Sequence, residues 1–67
     1  MTWAIKNSKT GKWLYGTSYG HGAITQRTSH ERIQTWETKE LAEIEYRHRK
    51  CGKAYKVVQV KIVEVTE

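Results

Sequence analysis

Thr2-Trp3-Ala4-Ile5-Lys6-Asn7-Ser8-Lys9-Thr10-Gly11-Lys12-Trp13-Leu14-Tyr15-Gly16-Thr17 decides the reading of the fold. Trp3 and Ile5 alternate with Ala4 and Lys6, and Trp13 and Tyr15 alternate with Lys12 and Leu14, which is the two-residue period of half-buried strands. The polar run from Asn7 to Lys12 joins them, and Gly11 can take the positive φ of a bulged hairpin turn. These strands should pair with Ile5 across from Trp13 or Tyr15. Trp3, Ile5, Trp13 and Tyr15 would then share one face, the first surface of a core.

Outward from this hairpin the periodicity lapses. From Gly16 to about Arg32, glycines at 16, 20 and 22 mix with Ser, Thr, Tyr19 and His21, and the stretch reads as a long loop. Ile33 to Trp36 is a candidate short third strand. Thr38 can cap a helix from Lys39 to Lys50, with Glu40 at the positive end of its dipole. Leu41, Ile44, His48 and Cys51 recur at three- and four-residue spacings, with Ala42 and Tyr46 beside them, so Leu41 and Ile44 are expected to roof the hairpin face. Arg47, Arg49 and Lys50 suit the last turn, and Gly52 can end it in a left-handed conformation.

Tyr55 to Val65 is rich in β-branched residues and reads as an interior strand. Val58, Val60 and Ile62 fall on one face and Tyr55, Val57, Val63 and Val65 on the other, unless a bulge near Gln59 to Lys61 changes the parity. The predicted class is α+β: a small antiparallel sheet (β-hairpin, short third strand, long C-terminal strand) on one helix, in the order β-β-(β)-α-β, with residues 1–67 forming one small domain.

A chain of 67 residues buries only about 60% of its unfolded surface, so the core must be thin. Hydrophobic residues make up 37% of the chain, and three Trp and four Tyr supply much of the area available for burial. Cys51 is the only cysteine, which excludes an intramolecular disulfide and points to a reducing compartment, the cytoplasm. No targeting segment or membrane span is recognisable. Twelve Lys and Arg against seven Glu give a net charge of +5, which favours acidic partners: nucleic acid, an acidic protein face or an anionic surface.

Arg47-His48-Arg49-Lys50-Cys51-Gly52-Lys53, with Arg27, Arg32, Lys56 and Lys61, is the densest basic cluster and could neutralise phosphates, with Tyr19 offering a ring on which a base could stack. The plainer account is a solvated helix end that complements the dipole. His48 and Cys51 at i,i+3, with His21 and His30, make half of a zinc pattern, but no C-x-x-C is present and a lone Cys on an apolar helix face is usually a small buried hydrophobe. No metal or cofactor is expected. Gly16-Thr17-Ser18-Tyr19-Gly20-His21-Gly22 lacks the Lys-Ser/Thr ending of a P-loop and the glycine order of a dinucleotide fold. No residues of activated-nucleophile type stand out, so the chain reads as a non-enzyme.

Trp3 to Leu14, together with Arg49-Lys50-Cys51-Gly52-Lys53 before Tyr55-Lys56-Val57-Val58, resembles small uncharacterised proteins encoded by phages and prophages of Gram-positive bacteria. The resemblance implies an accessory protein acting inside the host cell during infection or lysogeny, and assigns no catalytic or binding residue. The expected function is therefore a small basic binding module, with nucleic acid the first ligand. The alternative is a protein-interaction module that inhibits or redirects an acidic host protein, and a homodimer completing the thin core is a third expectation. The candidate contacts are Arg27, Arg32, Arg47, Arg49, Lys50, Lys53 and Tyr19.

Overall fold

A computed structural model describes residues 2–61. It is α+β, as expected: β1 (Thr2–Asn7), β2 (Trp13–Gly20), β3 (Ala23–Ser29), β4 (Thr35–Trp36), α1 (Lys39–His48) and β5 (Tyr55–Val60). The antiparallel sheet runs β3-β2-β1-β4, with β5 on the other edge of β1. Thus β1 and β2 are interior strands. Among the described residues β5 pairs with β1 alone, which corrects the expectation that it lies inside the sheet. The expected continuation of that strand to Val65 lies outside the described residues.

The first hairpin turns as its residues dictate. Asn7 Oδ1 accepts from the amides of Lys9 and Thr10, the Gly11 amide donates to the Asn7 carbonyl, and Gly11 has φ +75°. Asn7 also donates to the Lys12 carbonyl, so one residue faces two, as a bulge requires. The register that follows differs from the expected one. Lys6 pairs with Trp13, and directly opposed residues point to the same side, so Trp13 lies on the face opposite Ile5. Leu14 takes the core position instead. Ile5 and Leu14 are fully buried and form the core with Cys51, and Trp36, Tyr46, Tyr55 and Val57 pack around them.

The stretch after Gly16 is not a loop. β2 runs on to Gly20 and pairs with β3 through a two-residue turn, His21 (φ +50°) and Gly22 (φ +76°). Positive φ at both central residues is the type I′ turn that suits the twist of a hairpin. A bulge between Leu14 and Gly16 shifts the parity, so Thr17 and Tyr19 lie with Leu14 on the helix side. Tyr15 falls within this bulge rather than in the expected aromatic row, and the Arg32 guanidinium lies 5.6 Å from its ring centroid.

Thr38 caps α1 as predicted, its Oγ1 accepting from the Leu41 amide at 3.2 Å. The helix seats Ala42 and Tyr46 on the core, not Leu41 and Ile44, which are 47% and 54% exposed. Ala42, Tyr46 and Arg49 recur at four and three residues and form the stripe turned inward, while Leu41 and Ile44 lie on the adjoining flank. The C-terminus closes with Lys50 donating to the Arg47 carbonyl and Cys51 to the Tyr46 carbonyl, around a left-handed Lys50 (φ +51°). That is a Schellman motif, two residues before the glycine expected to terminate the helix, and it turns Cys51 into the core against which Tyr46 packs.

Candidate nucleic-acid interface

With α1 packed over β1, β4 and β5, the opposite side of the sheet carries no helix among the described residues. The registers place four residues in one row across this open face: Lys56 on β5, Lys6 on β1, Trp13 on β2 and Ser29 on β3. Val58, Ala4 and Thr35 form the next row. Lys6 and Lys56 stand directly across from one another, a like-charge pairing that destabilises a sheet. The Lys6 ammonium turns to the Trp13 ring, 5.0 Å from its centroid, where the negative face of the indole partly offsets the repulsion. Arg27 extends the row along β3, and its Nε donates to Ser18 Oγ at 2.8 Å.

Charge is segregated by element. Every acid among the described residues lies between Glu31 and Glu45, in the β3–β4 connection and α1, and none is on β1, β2, β3 or β5. Among the described residues, Lys6, Arg27 and Lys56 therefore have no acidic side chain within the strands to neutralise them.

Of the residues singled out by sequence, Arg27 and Lys56 fall on this face, and Arg32 lies over the Tyr15 ring at the β2 bulge. Arg47, Lys50 and Lys53 are exposed at the far end of α1 and in the turn before β5. Arg49 is turned inward: it donates to Glu45 Oε2 at 2.9 Å and Thr17 Oγ1 at 3.2 Å and lies 5.7 Å from the Trp36 ring centroid. Its carbonyl accepts from Gln26 Nε2, and the Thr17 hydroxyl donates to Gln26 Oε1. These bonds clasp the β2–β3 arm to the helix, so Arg49 is a structural cation. Tyr19 lies on the helix side of the arm, its ring 6.5 Å from that of His48. Sequence reasoning grouped Lys56 with the basic run but missed Lys6 and Trp13, because the cross-strand register that unites the three becomes visible only once Leu14 is seen to fill the core.

An open groove of about 500 Å³ lies between α1 and β5, with Tyr46, Tyr55 and Val57 beside Lys39, Arg47, Lys56 and Glu43. Among the described residues no three His, Cys, Asp or Glu side chains gather where a metal ion could sit, and no helix is long and apolar enough to cross a membrane. Cys51 is buried, and desolvation pushes its thiol above the ordinary value of 9.0 against the lowering effect of Arg49. A reactive cysteine needs the reverse, a depressed pKa and an accessible sulfur. Compared with known protein families, curated proteins and solved structures, the chain matches none of them.

Proposed function

We propose that this chain is a non-enzymatic binding module whose open sheet face takes the phosphate backbone of nucleic acid, with Lys6, Lys56 and Arg27 as phosphate contacts and Trp13 as a stacking platform. The observation that carries the reading is the Lys6–Lys56 pair. Two lysines in register on neighbouring strands crowd like charge together in the free protein, and a bound polyanion turns that repulsion into attraction. The segregation of acids away from the strands supports the same conclusion. The resemblance of the opening and closing strands to phage and prophage proteins fits a module acting inside a host cell.

Titration of labelled single-stranded DNA and RNA at two salt concentrations tests this. Binding should weaken as salt rises, by a slope of about 0.7 per phosphate contact on a single strand, and Lys6→Gln with Lys56→Gln should lower that slope by about 1.4. No binding at low salt, or affinity indifferent to salt, overturns the reading.

The groove between α1 and β5 favours a second reading, a protein-interaction module that receives an acidic, apolar peptide segment beside the β5 edge. A pull-down from nuclease-treated host lysate separates the two, because a protein partner survives nuclease and a nucleic-acid bridge does not.

A further inference from the structure

The predicted apolar stripe of α1 exists but faces solvent. Leu41, Ile44 and His48 repeat at three and four residues, and all three are exposed. Tyr19 and Ile24, on the helix side of the β2–β3 arm, are 57% and 37% exposed, and Tyr19 meets His48. Thus four of the five exposed large hydrophobic residues among those described gather on the helix side of the molecule.

The charges flanking the stripe identify what covers it. Exposed Glu40 precedes Leu41 and exposed Arg47 precedes His48, seven residues on, so the two stand on the same flank two turns apart. In an antiparallel pairing of two such helices, this flank meets itself. Glu40 of each copy then faces Arg47 of the other, with Ile44 near the two-fold axis. Beyond the helix, exposed Glu37 and Lys50 continue the acidic-to-basic gradient and meet in the same sense. A parallel pairing would bring Glu40 toward the flank bearing Glu45, a like-charge contact. The Glu40–Arg47 flank is therefore self-complementary in the antiparallel orientation.

We infer that the Leu41–Ile44–His48 flank of α1 is an isologous interface at which two copies of this chain pair with their helices antiparallel. The pairing supplies the cover that a thin core leaves missing: only Ala4, Ile5, Leu14, Ala42 and Cys51 are buried hydrophobic residues among those described. It lies on the side of the sheet away from Lys6 and Lys56 and does not depend on what binds there.

Sedimentation equilibrium of the full chain, from about 10 µM to about 1 mM, tests it. The mean mass should rise from one chain toward two. Ile44→Glu should hold the protein monomeric with an unchanged circular dichroism spectrum, since the side chain is half exposed and its loss leaves the core intact. Glu40→Arg or Arg47→Glu alone should weaken dimerisation about tenfold or more, since each change acts twice across a two-fold axis. The double variant Glu40→Arg with Arg47→Glu restores opposite charges and should recover the dimer. A mass fixed at one chain up to about 1 mM, a dimer indifferent to Ile44→Glu, or a double variant no better than the singles would each overturn the inference.

Discussion

Lys6 and Trp13 face one another across β1 and β2, with the ammonium 5.0 Å from the centre of the indole ring. The contact draws the Lys6 ammonium toward β2, while the β1–β5 register sets Lys56 across from Lys6 on the other neighbouring strand.

The opposed lysines make a first prediction, in which stability and binding move in opposite directions. Lys56→Glu replaces a repulsive cross-strand pair with an attractive one and leaves the Lys6–Trp13 contact intact. It should stabilise the fold by about 0.2–1 kcal/mol in urea denaturation. Affinity for single-stranded nucleic acid should fall in the same variant, with a smaller salt slope. Loss of stability without loss of affinity would show that Lys56 has a structural role instead.

Leu14 is fully buried and Leu41 half exposed, so the register has an energetic signature. Leu14→Ala should cost about 2–5 kcal/mol, enough in a domain this small to lower the melting temperature by more than about 10 °C. Leu41→Ala should change the stability of the monomer by no more than about 0.5 kcal/mol. Thermal melts of dilute protein compare the two directly.

Arg49 separates structural charge from binding charge. Its guanidinium holds Glu45 and Thr17, and its carbonyl holds Gln26. Arg49→Ala should cost about 1–3 kcal/mol and loosen the β2–β3 arm, read as faster amide exchange at Thr17 and Gln26. Nucleic-acid affinity per folded molecule should hold.

Lys50 occupies a left-handed conformation that a Cβ disfavours. Lys50→Gly removes the strain but frees the unfolded chain, for a net gain of about 1 kcal/mol or less. A rise in the urea midpoint with unchanged slope checks this.

The same position shows what the sequence reveals and what it conceals. Thr38, Gly11 and the helix span are set by contacts within a few residues, and local chemistry announces them. The faces are not local. Whether Trp13 or Leu14 enters the core depends on a one-residue register between strands, and the aromatic alternation pointed to the wrong choice. The β2–β3 hairpin escaped notice because glycines and small polar residues carry no alternation, and its one clear mark is the pair His21-Gly22 in a type I′ turn. The stripe Leu41–Ile44–His48 is legible as a period, but periodicity cannot say whether it faces a core or a second molecule. The candidate interface lies on residues scattered over β1, β2, β3 and β5, whereas the sequence draws the eye to a contiguous basic run.

Cys51 provides a pH-dependent check on the core. Burial raises its folded pKa, and the positive charge of Arg49 opposes but does not cancel the shift. Below the ordinary value of 9.0 the thiol is neutral in both folded and unfolded chains, and its contribution to stability is complete. Above that value the unfolded chain releases the proton while the folded chain keeps it, so this contribution falls as pH rises toward the folded pKa. Denaturant melts of the native protein and of Cys51→Ala, from neutral pH to about 10, isolate the effect, because other titrating groups act alike in both. The stability difference between them should shrink above pH 9 and stay constant below it. Alkylation of the native thiol should likewise be slow and become rapid in urea. A constant stability difference across the range, with fast native alkylation, would mean that the sulfur reaches water and that Tyr46 does not close over it.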